Sequence, residues 1–277
     1  MSWRQAGRRD LHTLLEFLLP HEARFVPFTS RLRSGSRGFE VYMEEGPAGE
    51  VRAALLHTSN GLLLPAFADP LPEPKELARV LSELRPTVHS IMGDGRCVHA
   101  TEASLPLPPT TSVDYFLMAV EAGRRHASIR ERPPGLLVRM ADAGDADLLF
   151  PLQRGYELEE VVISPSHFSE GQCMRMLRVS LREQLVAVAE LLGAAVGKAG
   201  TNARGYKVDQ IGGVYTAPTE RGKGIGAAVV SELLSRVFQD KREACLFVKK
   251  HNRSAIALYE RLGFEPVTEY VISYYGL

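Results

Sequence analysis

The pattern of hydrophobic and polar positions in the second half of the chain alternates between a period of two and a helical period. Apolar runs predict strands at 136–140, 184–189, 194–198, 208–216, 244–248 and 267–275. Helical spacing predicts helices at 145–155, 168–182, 224–239 and 252–262, and a glycine- and asparagine-containing turn is predicted at 200–205. This alternation indicates an α/β fold with helices packed on a sheet.

The first half of the chain repeats much of this order. Strands are predicted at 39–43, 52–56, 61–64, 88–92 and 112–118. Helices are predicted at 11–19, 74–84 and 96–105, and the first of them places Leu11, Leu14, Leu15 and Leu18 on one face. The run at 130–135 is charged and then rich in proline and glycine, so it is predicted to be a linker between domains at 1–132 and 136–277.

A short motif recurs at the start of each half. Arg4-x-Ala6-x-x-x-Asp10-x-x-x-Leu14 reappears at an offset of 135 residues, beginning at Arg139. Each copy suits a short strand, a turn and a helix capped by aspartate. We interpret the halves as related lobes, and the alternative is an unrelated α/β domain in the first half.

A glycine-rich segment follows the predicted strand at 208–216 and opens the next helix. It reads Arg221-Gly222-Lys223-Gly224-Ile225-Gly226. Glycines let backbone approach a ligand, and the first amides of a helix favour an anion. The spacing excludes a P-loop, which needs Gly-Lys-Ser/Thr, and a dinucleotide fingerprint, which needs Gly-x-Gly-x-x-Gly. A tight connection without a ligand is the alternative interpretation.

A second motif lies downstream and reads Asn252-x-x-Ala255-x-x-Leu258-Tyr259-x-x-x-Gly263-Phe264. Asparagine is a good residue before a first helical turn, and glycine ends a helix readily. Together with Arg-x-x-Gly-x-Gly at 221–226, this segment resembles the two hallmark motifs of the GNAT superfamily of N-acetyltransferases. The resemblance covers residues 136–277 and implies a GNAT fold there, with a degenerate GNAT-like lobe at 1–132 that lacks the glycine loop.

The resemblance implies that acetyl-CoA is the co-substrate. Backbone amides of the glycine loop would hold its pyrophosphate, and the end of the preceding strand would pair with the pantetheine arm. The backbone N–H near Val214 is where family members stabilise the thioester carbonyl oxygen. The implied cofactor-binding residues are Val214, Tyr215, Thr216, Arg221, Gly222, Lys223, Gly224, Ile225, Gly226 and Asn252.

The reaction implied is attack of a primary amine on the thioester in a ternary complex. Tyr259 is the candidate that protonates the leaving thiolate, since a phenol with a pKa near 10 suits a general acid. The glutamate that some relatives carry on the preceding strand is replaced by Phe247. The general base stays open among the acidic cluster at 157–160 in the predicted loop, Asp209, His251 and a water chain.

Composition narrows the remaining possibilities. The chain has 277 residues and a formal net charge of zero, so no nucleic-acid or membrane partner is expected. Three scattered cysteines and dispersed histidines predict no disulfide framework, no metal site and a cytoplasmic protein. No apolar run reaches the length of about 20 residues that a membrane span needs.

The motifs leave the acceptor open between a small molecule and a protein amine. Tandem GNAT lobes also resemble mycothiol synthase, which is the small-molecule alternative. A protein of another class is the second alternative: a sensor that binds acyl-CoA and uses the first lobe as an interaction surface. The intact Tyr259 and the glycine loop favour the enzyme.

Overall fold

A computed structural model describes residues 3–35, 37–84, 88–124, 132–162 and 168–276. The chain divides into two compact units. Unit 1 comprises Met1–Met118, Phe247–Asn252 and Pro266–Leu277, and unit 2 comprises Ala119–Leu246 and Arg253–Glu265. Arg130 and Glu131 of the predicted linker lie outside the described residues.

Twelve strands and eight α-helices are found in the described residues. The strands are β1 (Trp3–Gln5), β2 (Phe39–Glu45), β3 (Val51–Thr58), β4 (Leu62–Phe67), β5 (Ser90–Asp94), β6 (Thr111–Glu121), β7 (Leu137–Met140), β8 (Val186–Leu191), β9 (Ala194–Arg204), β10 (Val208–Thr216), β11 (Glu243–Lys249) and β12 (Glu265–Tyr274). The helices are α1 (Leu11–Leu18), α2 (Glu22–Ser34), α3 (Pro74–Glu83), α4 (Gly95–Glu102), α5 (Ala146–Tyr156), α6 (Glu170–Glu183), α7 (Ile225–Val237) and α8 (Arg253–Arg261).

Unit 1 is a mixed sheet covered by helices. Its strand order is β1-β2-β3-β4-β5-β12-β6, with β4 parallel to β5 and antiparallel pairing from β1 to β4. Most of β12 belongs to this unit, where it pairs with β5 from Tyr270↔Asp94 to Tyr274↔Ser90. Two apolar clusters stabilise the unit, one built on α1 and α2 and one on α3 and α4.

Unit 2 is also a mixed sheet, with the strand order β11-β10-β9-β8-β7. β10 is parallel to β11, and the other neighbours are antiparallel. α5 and α6 pack against the sheet through Leu149, Leu152 and Leu177, which are all buried. On α7, the apolar positions Val229, Val230, Leu233, Leu234 and Val237 recur at helical spacing and are buried.

The predicted strands and helices are confirmed in type, with ends shifted by a few residues. The structure differs from the sequence-based expectation at two elements. The turn predicted at 200–205 is wrong, because β9 continues to Arg204 and Gly200 pairs with Gly212 of β10. Helix α2 was not predicted, since Pro27 lies inside it and Phe25 interrupts its helical backbone.

The division by contacts cuts the chain at other places than the predicted domains at 1–132 and 136–277. Phe247–Asn252 and Pro266–Leu277 group with unit 1, although the sequence pattern assigned both to the second domain. The two-domain division from sequence therefore stays a prediction.

Candidate functional site

The glycine loop of unit 2 has the backbone conformation that its sequence predicts. β10 ends at Thr216, a 3-10 turn spans Pro218–Glu220, and α7 begins at Ile225. Gly222 and Gly224 both have φ of +80°, in the left-handed region that favours glycine. A Cβ at Gly222 would meet nothing within 4 Å, so backbone conformation is what calls for glycine there.

Gly226 has a different reason for being glycine. A Cβ built on it would lie 3.1 Å from Leu258 Cδ1 on α8 and 3.5 Å from Thr216 Oγ1. The residue therefore lets the first turn of α7 pack closely against α8. α7 is 13 residues long and Gly224 immediately precedes it, so its first amides lie at the glycine loop.

The strand that leads into the loop has an irregular edge. The registered pairs of β10 with β11 run from Val208 to Ile211. On its other side β10 pairs with β9, and that register is broken by a bulge between Gly212 and Tyr215, where Gly213 has φ of +59°. Within the described ranges, the final residues of β10 have no registered partner on the β11 side, which leaves an edge for an extended ligand.

The basic side chains of the loop are both paired with carboxylates. Arg221 donates to Glu159 Oε2 over 2.6 Å and through Nε to the Thr216 carbonyl oxygen over 3.1 Å. Tyr215 donates its hydroxyl to the other oxygen of Glu159, also over 2.6 Å. Lys223 Nζ lies 2.9 Å from a carboxylate oxygen of Glu220. We call the group of Glu159, Arg221 and Tyr215 the loop clasp.

The prediction that the acidic cluster at 157–160 lies in a loop is wrong. Residues Glu157–Val161 continue α5 as a π-helical turn and do not form a loop. Hydrogen bonds from Tyr215 and Arg221 hold the pKa of Glu159 below its usual value. Glu157 accepts a hydrogen bond from Gln153 at 3.0 Å. The cluster is thus an ordered part of unit 2, and no sequence pattern paired Glu159 with Arg221.

Tyr259 lies on α8 and is buried, with 8% of its surface exposed. Its ring packs edge-on against Phe264, with ring centroids 5.7 Å apart. Burial raises the pKa of its hydroxyl above the usual value, and the negative charge of Glu160 raises it further. The phenol is therefore protonated at neutral pH.

A buried lysine lies beside the bulge of β10, and the sequence analysis did not select it. Lys198 of β9 is 5% exposed and donates from Nζ to the Gly213 carbonyl oxygen over 2.9 Å. The same nitrogen lies 4.8 Å from the centroid of the Tyr156 ring. Burial raises the pKa of Tyr156 to about 12, so the ring is a neutral phenol. The sequence signal that could have identified it is a single lysine within the run of alanines, glycines and valine at 194–200.

Three other predicted residues take no part in the contacts described above. Asp209 is fully buried on β10 and pairs with Arg204 at 3.1 Å and with Lys241 at 3.7 Å, an arrangement that stabilises the sheet and leaves it poorly suited to be a base. His251 and Asn252 belong to unit 1. Their assignments as base candidate and cofactor ligand stay predictions.

Three further properties of the described residues bear on chemistry. They include no group of three or more His, Cys, Asp or Glu side chains arranged to hold a metal ion. The three cysteines, Cys97, Cys173 and Cys245, are buried and form no disulfide bond. No helix in the described part of the chain combines the length and apolar character that a membrane span requires.

Comparison with known proteins gives one family and a set of structural relatives. Residues 156–264 match the model of the acetyltransferase (GNAT) family. None of the curated proteins compared with the chain matches it. The family match contains β8 to β11, the glycine loop, α7 and α8.

The solved structures extend the similarity to the whole chain. A Drosophila protein superposes with a TM-score of 0.69 at 12% identity, covering 98% of both chains. A protein from Sphaerobacter thermophilus, described as a GCN5-related N-acetyltransferase, has a TM-score of 0.63 at 20% identity and covers 98% of this chain and 93% of its own.

A tandem GNAT protein from the clavulanic acid biosynthesis pathway has a TM-score of 0.60 at 14% identity, covering 100% of this chain and 99% of its own. At these identities the similarity shows the fold alone. Residues 156–264 thus match the GNAT family model, and the full-length similarity shows that the chain has the fold of these structures, among them a tandem GNAT protein.

Proposed function

We propose that unit 2 transfers an acetyl group from acetyl-CoA to a primary amine by direct attack in a ternary complex. The observation that carries the proposal is the edge of β10, where registered pairing with β11 stops at Ile211 and the strand leads into the glycine loop. GNAT proteins in general are acetyl-CoA-dependent acetyltransferases. The end of β10, which has no registered partner on the β11 side among the described residues, and the glycine loop that follows it support acetyl-CoA as the co-substrate.

The residues of the loop suit a pyrophosphate. Gly222 and Gly224 turn the backbone, and the amides at the start of α7 offer donors and the positive end of the helix dipole. Residues Gly222, Lys223, Gly224, Ile225 and Gly226 would hold the phosphates, with Arg221 beside them. Val214, Tyr215 and Thr216 would pair with the pantetheine arm, and the Val214 N–H would stabilise the carbonyl oxygen.

Tyr259 is the proposed donor to the leaving thiolate. Its raised pKa keeps the phenol protonated, so the hydroxyl would act as a hydrogen-bond donor to the developing thiolate more than as a strong acid. We expect Tyr259→Phe to retain acetyl-CoA binding and to lower turnover by about 100-fold. Turnover equal to wild type would remove Tyr259 from the mechanism.

Calorimetric titration of acetyl-CoA and free CoA tests the cofactor site. Gly224→Glu places a carboxylate at the start of α7 and strains a left-handed position, so we expect binding to weaken by about 100-fold or more. Gly193→Glu is the matched control, because Gly193 has φ of +81° with nothing within 4 Å of a Cβ and lies in the β8–β9 hairpin. It should bind like wild type.

Thiol release with a panel of small amines and peptides then identifies the acceptor. Saturable acetyl-CoA binding without turnover on any amine would favour the sensor over the enzyme. Absence of binding by the wild-type protein would contradict both.

A further inference from the structure

Lys198 is a buried amine without a described counter-ion. Its Nζ forms one hydrogen bond, to the Gly213 carbonyl oxygen, and contacts the Tyr156 ring. Within the described ranges, no carboxylate forms an ion pair with this nitrogen. A buried ammonium ordinarily has several acceptors or a paired charge, since burial without them is costly. Among the described residues, Lys198 therefore keeps donor capacity that no acceptor uses.

The position of this amine follows from the bulge of β10. Lys198 is registered opposite Tyr215, and the bulged residues between Gly212 and Tyr215 bring the Gly213 carbonyl oxygen to Nζ. A Cβ on Gly213 would lie 3.1 Å from Nζ, so glycine gives the amine its place. Val214, the proposed donor to the thioester carbonyl oxygen, is the next residue along the strand.

The environment also lets the amine lose its proton. Burial lowers the pKa of Lys198 to about 8, while the carboxylate of Glu157 opposes that shift. Burial raises the pKa of Cys173 above its usual value, so this neighbour is a neutral thiol. Tyr156, the remaining titratable group facing Nζ, stays neutral. A larger fraction of Lys198 than of an ordinary exposed lysine is then the free amine at neutral pH.

We propose that Lys198 is an internal acyl acceptor, which takes the acetyl group of bound acetyl-CoA when no amine acceptor is present. The inference rests on the proposed function. Neutral Nζ forms a bond to the thioester carbonyl carbon and the carbon–sulfur bond breaks. Of the two protons that the ammonium loses, one passes to solvent and the other goes to the CoA thiolate. The products are Nε-acetyl-Lys198 and free CoA.

The modification would change the site in a defined way. Acetylation removes the buried positive charge and leaves one amide N–H, which can still donate to the Gly213 carbonyl oxygen. The acetyl group would occupy space on the α5 side of the β10 bulge, where Tyr156 packs. Self-acetylation would thus compete with transfer to a separate acceptor.

Mass spectrometry after incubation with isotope-labelled acetyl-CoA tests the inference without knowledge of the acceptor. We expect one acetyl group at Lys198, added at least about ten times faster than at Lys75, which is exposed on α3. Gly224→Glu should abolish labelling of Lys198 and leave the slow chemical labelling of Lys75 unchanged. Gly193→Glu should label like wild type, and Lys198→Met should lose the fast label.

The outcomes separate the inference from the proposed function. Calorimetric binding of acetyl-CoA with no label on Lys198, or with equal labelling of Lys198 in wild type and Gly224→Glu, would overturn the inference and leave the proposed function intact. No binding by wild type would overturn both. Because the decisive comparison uses peptide mapping of wild type and the glycine variants, it stands even where Lys198→Met fails to fold.

Discussion

The first strands of the two units carry the same ion-pair arrangement. In unit 2, Arg139 donates through both terminal nitrogens to the two oxygens of Asp145, each at 2.7 Å. In unit 1, Arg4 does the same with Asp10 at 3.0 and 2.8 Å. In both units a backbone N–H three residues before the aspartate also donates to it. A glutamate of another strand contacts each guanidinium: Glu45 and Glu190.

The units differ where a strand turns into a helix. In unit 2 the turn before α7 holds Gly222 and Gly224. In unit 1 the segment between β4 and α3 contains no glycine, its Asp69 pairs with Arg96, and Glu73 precedes the first turn of α3. Carboxylates just before the first turn of a helix disfavour binding of an anion there. The arginine–aspartate arrangement therefore occurs both with and without a glycine loop, and we propose that unit 1 keeps this arrangement without a phosphate site.

The largest loss of folding stability should come from truncating the leucine that follows each ion pair, Leu14 or Leu149. Leu14 on α1 is 2% exposed and Leu149 on α5 is fully buried. Leucine to alanine at either position should lower the free energy of unfolding by about 2–5 kcal/mol, through lost transfer energy and the cavity left behind. Urea unfolding of the full chain measures both.

The exposed Leu11 and Met176 give matched controls, since Leu11→Ala and Met176→Ala remove little buried surface. A large loss at Leu149 with a small one at Leu14 would show that the shared motif does not give the units equivalent cores.

Replacing the arginine of each motif should cause the next largest loss of folding stability. Arg4→Met and Arg139→Met leave a mostly buried aspartate without its bidentate partner. Each arginine side chain is about a third exposed, so solvent screening limits the expected loss to about 1–2 kcal/mol in each unit. Thermal unfolding checks it. Arg8→Met, an exposed neighbour, should unfold like wild type, and losses no larger than in that control would make both ion pairs incidental.

The recurring motif and the glycine loop were visible in the sequence because their signals are local. The arginine and aspartate of each motif are six residues apart, and the left-handed glycines lie within one turn. The predicted helix capping by aspartate is wrong, since neither Asp10 nor Asp145 forms a side-chain cap hydrogen bond and each pairs with the motif's arginine instead. The other failures came from contacts at long range. Gly200 looked like a turn residue but pairs with Gly212 in the sheet. Lys198 and Gly213 meet through a bulge, and Glu159 reaches Arg221 across 62 positions. Periodicity carries no information about such pairs.

Acidification should weaken both ion pairs alike. Hydrogen bonds from arginine and from a backbone N–H hold the pKa of Asp10 and of Asp145 below the ordinary value of 3.8. A carboxylate with a lowered folded pKa stabilises the fold above its unfolded pKa, and this contribution is lost as pH falls through the folded pKa. Asp10→Asn and Asp145→Asn should each lower the free energy of unfolding by about 1 kcal/mol at neutral pH. Each variant should then lose less stability than wild type as the pH falls below about 4. Variants that lose stability in parallel with wild type down to the acid transition would contradict this origin.

The smallest expected effect concerns the loop clasp, which has no counterpart among the described residues between β4 and α3 of unit 1. Glu159→Gln removes a negative charge beside the proposed phosphate site while its amide oxygen can still accept from Tyr215 or Arg221. We expect acetyl-CoA to bind about threefold more tightly in calorimetry, with the gain shrinking as salt is raised. Glu73→Gln in unit 1 is the matched control and should leave the affinity unchanged. Weaker binding by Glu159→Gln would contradict this expectation. It would mean that Glu159 helps binding more by positioning Arg221 than it opposes binding by repelling the phosphates.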